Sequence, residues 1–183
     1  MSPPRLYRVE AVVLKRRNTG EADRLITLFT KERGKIVAMA KGIRRLSSKR
    51  APFLEVFSRT TILLYKGQKY DTITEVSPIA PYAALRKHLD RISAAYVLCE
   101  SIDILLPEHQ EHPDVYGQMI QALGSLEQAD PSREFLSSFL NSLLVSLGFL
   151  TSSKDMQTSE LIAYIEQLTE RRMKTKKIVY QLS

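Results

Sequence analysis

The hydrophobic period of this 183-residue chain changes once, at Pro78 and Pro81. Before these prolines, apolar residues fall in short runs broken by turn residues. After them, apolar residues recur every three or four positions. The first pattern is that of strands and the second that of helices. Strands gathered ahead of helices specify an α+β chain, with a β domain over residues 1–80 and a helical domain over residues 81–183. The charge changes at the same place. Residues 1–80 hold 17 Lys and Arg against 7 Asp and Glu, a net +10, whereas residues 81–183 hold 10 against 13, a net −3.

Five strands are expected. Tyr7–Lys15 is rich in Val and alternates only in part, as a strand covered on both faces does. Arg24–Thr30 sets Ile26 and Leu28 on one face and Leu25, Thr27 and Phe29 on the other. Lys35–Lys41 sets Ile36, Ala38 and Ala40 against Val37, Met39 and Lys41. Between these two, Gly34 can take the positive φ that closes a hairpin with a bulge. Val56–Tyr65 and Tyr70–Val76 form a second hairpin through Lys66-Gly67-Gln68-Lys69. With one long irregular stretch, Ile43–Leu54, the pattern fits a five-stranded OB-fold barrel, because closure removes exposed edges.

In the helical half, Tyr82, Leu85, Leu89, Ile92, Tyr96 and Cys99 form an apolar stripe on a helix that Pro107 stops. The polar stretch PEHQEHPD precedes a helix carrying Val115, Tyr116, Met119, Ile120, Leu123 and Leu126. Asp130 and Pro131 are placed as N-cap and first residue of a third helix, rich in Leu and Phe, with Gly148 at its C-terminus. Thr158 or Ser159 could cap a last helix through Leu161, Ile162, Ile165 and Leu168. A bundle of about four helices results.

A strongly basic strand region implies a polyanionic partner, nucleic acid first among them. Candidate DNA-binding cations are Lys15, Arg16, Arg17, Arg24, Lys31, Arg33, Lys35, Lys41, Arg44, Arg45, Lys49 and Arg50. An OB barrel binds single strands in a cationic groove with a few aromatic platforms. Of Tyr7, Phe29, Phe53, Phe57, Tyr65 and Tyr70, most should fill the core. Tyr65 and Tyr70 flank a turn and are the candidates for stacking.

Catalysis has little support. No phosphate loop, glycine fingerprint or Ser-His-Asp spacing appears. His109, Glu111, His112 and Asp114 are the only cluster of metal-ligand types, and a solvated interhelix loop accounts for them better. Glu21 and Asp23 are placed to pair with Arg24 or nearby lysines, and His88 reads as a helix-flank residue. Cys99 is the single cysteine, which excludes an internal disulfide and a cysteine-based zinc site, so neither metal nor cofactor is expected. The first residues lack a signal-peptide pattern, and no apolar run approaches the ~20 residues of a membrane span. A cytoplasmic protein is expected.

The run EAVVLKRRNTGEADRLITLFTKERGKIVAMAKGIRR resembles the N-terminal signature of the RecO family, bacterial recombination mediators and DNA repair proteins. Its elements are Val13-Leu14-Lys15, Gly20 to Leu25, Phe29 to Lys35 and Ala40 to Arg45, followed by a basic loop through Ser48. YAALRKHLDRISAAYVLCESIDILLPE resembles the first long helix of the family's helical domain, and LLVSLGF at Leu143–Phe149 another of its elements. LIAYIEQLTERRMKTKKIVYQL resembles the closing helix. The four-cysteine zinc element found in many members is absent, so the chain resembles a short form. The resemblance implies an OB-fold domain and a helical domain without enzymatic turnover. It implies a nucleoid-associated protein that binds single- and double-stranded DNA and anneals complementary strands. Such a protein works with RecR in loading RecA and engages the C-terminal tail of the single-stranded-DNA-binding protein. Arg86, Lys87, Arg91, Arg133, Arg171 and Arg172 supply cations for such an acidic tail. An OB-fold RNA or ribosome module and a protein adaptor with a basic face are the alternatives.

Overall fold

The computed structural model describes residues 5–177. Two compact units emerge. One runs up to Pro81 and takes in Glu108–Pro113, and the other comprises Tyr82–Pro107 and the chain from Asp114.

The first unit is a closed five-stranded barrel: β1 (Leu6–Thr19), β2 (Asp23–Thr30), β3 (Gly34–Ala40), β4 (Arg59–Tyr65) and β5 (Asp71–Ala80), in the spatial order β1-β2-β3-β5-β4. All pairs are antiparallel except β3 with β5, which meet in parallel at Ala38↔Asp71 and Met39↔Thr72. This is the OB-fold arrangement. Closure depends on β1, whose first half pairs with β4 and whose second half pairs with β2. The strand bends between them where Leu14 has no partner in the register, a bulge that re-aims the strand. Opposite the bulge, Val13 exchanges hydrogen bonds with the approach to β4, to Ser58 at 3.0 Å and from Phe57 at 2.8 Å.

Alternation fills the barrel as expected. Ile26 and Leu28, with Ile36, Ala38 and Ala40, join Val9, Ala11, Val13, Ile62, Leu64 and Ile73 in one buried cluster. The irregular stretch contributes Ile43 and, from a 3-10 turn at Ala51–Leu54, Leu54. Each large apolar side chain, fully buried, stabilises by about 1.5–3 kcal/mol. Strand limits differ from the expected ones by more than a residue at three places. β1 runs four residues past Lys15, to Thr19, because residues 16–19 continue the ladder with residues 23–26. β4 begins at Arg59 instead of Val56, because buried Phe57 sits at φ 76° and interrupts extended backbone. β5 runs through Pro78 to Ala80, pairing there with β4 alone and beside a bulge, where a strand can accept a proline.

The stretch expected as a solvated interhelix loop is instead part of the barrel unit. Glu108 bridges Lys35 in parallel, and the His109 N–H donates to the Lys35 carbonyl at 2.9 Å. This strap occupies the β3 edge ahead of the two residues that β5 covers. Gly34 permits the approach: at φ 64°, a Cβ there would lie 1.8 Å from the Gln110 carbonyl oxygen.

The second unit holds α1 (Leu89–Leu105), α2 (Pro113–Gln128), α3 (Phe135–Ser146) and α4 (Thr158–Thr169), with a 3-10 turn at Leu85–Lys87 before α1. Helix α1 packs against both α3 and α4 and is buried nearly all round. The expected stripe is therefore only part of the buried surface. Tyr82, Leu85 and Cys99 are buried and Ile92 is half-buried, but Leu89 is 78% exposed and Tyr96 is exposed. Ala94, Ala95, Val97, Leu98 and Ile102, outside the stripe, are in the core. Asp130 does not cap α3, which starts later, after Glu134. Its carboxylate instead accepts from Arg91 Nε at 2.7 Å. Gly148, at φ 77°, ends α3 in a Schellman motif, with its own N–H on Val145 and that of Phe149 on Leu144. Gln157, not Thr158 or Ser159, caps α4, in a capping box with Glu160. Of the expected α4 stripe, Leu168 is exposed and the rest buried. Glu100 on α1 accepts from the Lys174 and Thr175 N–H groups at 2.8 Å each and pins the segment after α4. The final part of the expected closing helix, Ile178–Leu182, lies outside the described residues, as do Met1–Pro4.

Candidate nucleic-acid interface

Register sorts the basic residues into two groups. The end of β1, the start of β2 and the end of β3 meet at one rim, through Asn18↔Arg24 and Arg24↔Ala40. Arg17, Arg24 and Lys41 therefore converge there with Arg16 just below them, joined by the loop that carries Arg44, Arg45, Lys49 and Arg50. Lys15 instead lies midway along the barrel wall, opposite Thr27. Lys31, Arg33 and Lys35 lie at the other end of β2 and β3, roughly 20 Å away at about 3.4 Å per strand residue.

The loop is pinned at several points. The Gly42 N–H donates to Asp23 Oδ1 at 2.7 Å, and the Arg44 N–H to the Ala22 carbonyl at 2.9 Å. Arg50 reaches inward, giving one N–H to the Ile73 carbonyl at 2.6 Å and another to the Lys41 carbonyl at 2.7 Å. Asp23 thus holds the loop rather than Arg24, which is half-buried and whose Nε donates to Asn18 at 2.9 Å. Arg16 is drawn into an ion pair with Glu55. Arg17, Lys41, Arg45 and Lys49 present exposed side chains, as do Lys15 and Arg44, the latter with a long contact of 3.4 Å to the Gly20 carbonyl. Arg16 and Arg50 are thus engaged within the fold, and Arg17, Arg24, Lys41, Arg44, Arg45 and Lys49 make up the rim, with Lys15 exposed farther along β1.

In the second group, Lys35 is buried at 7% exposure beneath the strap side of β3, which removes it from the surface that the sequence assigned to it. Arg33 stacks 4.1 Å over the ring of Tyr7. The Tyr7 hydroxyl donates to Asp71, and burial first, then this bond, holds its pKa above the ordinary phenol range. Tyr65, 38% exposed, accepts from Arg5 at 3.0 Å, and Lys69 sits 5.5 Å over half-buried Tyr70. Phe29 and Phe57 are core residues, and Phe53 is half-buried. Sequence reasoning missed the Tyr7–Arg33–Asp71 cluster, which joins three separate strands or turns and has no local signal.

Among the six cations assigned to an acidic tail, Arg91 is buried at 9% exposure and bonded to Asp130 and, at 3.1 Å, to the Glu127 carbonyl. It ties α1 to the end of α2 and has no exposed head. Arg86 is half-buried, whereas Lys87, Arg133, Arg171 and Arg172 are exposed. Among the described residues, no group of three or more His, Cys, Asp or Glu is placed to hold a metal ion. No described helix is long and apolar enough to cross a membrane.

Residues 1–82 match the family model described as Recombination protein O N terminal, and residues 86–154 match Recombination protein O C terminal. The chain belongs to the RecO family. The DNA repair protein RecO of Heliobacterium modesticaldum is 42% identical over 105 residues, which are 57% of this chain and 38% of that protein. The RecO protein of Bifidobacterium animalis subsp. lactis is 40% identical over 142 residues, 75% of this chain and 59% of the relative. That of Symbiobacterium thermophilum is 34% identical over 148 residues, or 80% and 58% of the two chains. This RecO-family chain thus spans about half the length of the curated relatives it matches.

Proposed function

We propose that this chain acts in DNA repair and homologous recombination as a non-catalytic mediator. It binds single- and double-stranded DNA without sequence specificity, anneals complementary strands and, with RecR, helps load RecA. The observation that carries this proposal is the rim of exposed Arg17, Lys41, Arg44, Arg45 and Lys49, with half-buried Arg24 and with exposed Lys15 farther along β1, on an OB barrel of the RecO family. Such a rim neutralises phosphate, and phosphate contacts position a strand without reading its bases. Two strands held on one cationic surface repel each other less and can search for register. Tyr65 and Tyr70, beside Arg5 and Lys69, offer aromatic faces for stacking. Lys31 and Arg33 extend the cationic surface at the far hairpin.

The test is annealing of complementary single strands by the full chain, with and without Arg44→Glu and Arg45→Glu. The double variant is expected to anneal slowly and bind weakly. Its log–log salt slope for single strands should fall by about 0.7 for each phosphate that is no longer neutralised. A folded double variant with unchanged affinity and slope refutes the placement.

The helical unit is the proposed dock for the acidic, apolar-ended tail of the single-stranded-DNA-binding protein, with Lys87, Arg133, Arg171 and Arg172 as its exposed cations. Titrating the full chain with a tail peptide and with a copy lacking the last apolar residue decides this. Equal binding of both would reduce it to general charge attraction.

A further inference from the structure

Leu46 stands at the tip of the rim loop with 108% relative exposure, as open as in an extended chain. A lone exposed leucine is ordinary in itself, and Leu6 and Leu89 are exposed too. Three features set Leu46 apart. Its loop is tethered on both sides, with Ile43 buried in the barrel core before it and Arg50 bonded to two carbonyls after it. The tip itself is a compact turn, the Arg45 N–H donating to the Gly42 carbonyl and the Ser48 N–H to the Arg45 carbonyl. The same loop also carries exposed Arg44, Arg45 and Lys49 within three residues of Leu46, and no acidic residue occurs between Glu32 and Glu55. A tethered apolar tip flanked by cations is a combination with which DNA-bending proteins part a base step, the cations holding the phosphates nearby.

We infer that Leu46 is a wedge that enters the base stack of duplex DNA held by Arg44, Arg45 and Lys49. The inference rests on the DNA-binding role proposed above and specifies the form of DNA preferred. Burying one leucine returns about as much as opening one paired step requires. Fully stacked duplex therefore gains little from the wedge, whereas a mismatched step, already weakly stacked, gains most of it. The substrate selected is duplex with a locally broken stack.

The experiment uses the full chain and two duplexes carrying 2-aminopurine, one fully paired and one with a neighbouring mismatch. Unstacking raises the fluorescence of this base. Wild-type protein is expected to raise it clearly on the mismatched duplex and to bind that duplex about tenfold more tightly than the paired one. Leu46→Ser should abolish the rise and the preference, while affinity for paired duplex stays within about twofold, since the phosphate contacts remain. Leu46→Met should keep both. Because the side chain stands clear of the fold, thermal melting should show all three proteins equally folded. Binding of both duplexes with no fluorescence change, or a Leu46→Ser variant indistinguishable from wild type, overturns the wedge and leaves the DNA-binding role standing. No binding of any DNA by the wild type overturns both.

Discussion

Two glycines with similar backbone angles stand in unlike surroundings. Gly20 is at φ 55° with nothing near a prospective Cβ, whereas Gly34 is at φ 64° with the Gln110 carbonyl in the way. Gly20→Ala is expected to lose only the left-handed backbone preference, about 1 kcal/mol. Gly34→Ala carries the same loss plus the displacement of the strap, and should cost at least about 2 kcal/mol. Urea melts of the two variants test this, and equal losses would mean that the strap yields freely. At this scale the sequence is informative where a residue's conformation is its own property: Gly34 and Gly148 take the positive φ their turns require. It is uninformative where the surroundings decide. Lys35, Arg50 and Arg91 are cations like their neighbours, yet Lys35 is buried and the two arginines spend their donors on carbonyls or a carboxylate inside the fold.

The strands show their faces in sequence because each has one side toward the barrel interior, so alternation survives in Ile26, Leu28, Ile36, Ala38 and Ala40. Helix α1 does not, because a helix surrounded by others has no single buried stripe. Leu98→Ala should therefore lose about 2–5 kcal/mol, whereas Leu89→Ala should stay within about 0.5 kcal/mol. Chemical denaturation of both variants measures the contrast, and comparable losses would restore the stripe that the spacing favours. The link from α1 to the turn before α3 depends on pH. The hydrogen bond from Arg91 holds the Asp130 carboxyl below the usual carboxylate range. Its contribution is thus present above the unfolded pKa, about 3.9, and is lost as pH falls through the lower folded value. Asp130→Asn should remove that part of the acid dependence of the melting temperature. A variant whose acid limb overlays that of the wild type would show that the pair contributes nothing.

At the scale of the whole molecule, the order of strands before helices and the basic character of the strand half were legible, since both follow from composition along the chain. The division of the cations between a rim and a far hairpin was not, since it follows from register. Nor was the strap. PEHQEHPD has the composition of any polar loop, and its place against β3 follows from a pairing between distant residues. A fragment ending at Pro81 would leave the first half of β3 with an open edge. Open edges recruit other strands. Such a fragment is expected to self-associate with rising concentration in light scattering, and appending residues 107–113 through a flexible linker should suppress this. A fragment that stays monomeric without the appended segment would show the edge to be harmless. The same feature sets a schedule for the chain in the cell. The last piece of the barrel, Glu108–Pro113, is made only after α1 has been translated. It follows the fifth strand by roughly 30 residues, which at about 5–20 residues per second is a wait of about 2–6 s. During that interval a nascent chain carries all five strands and an unfinished edge, so the ribosome-bound form is expected to be most open to its neighbours just before the strap is made.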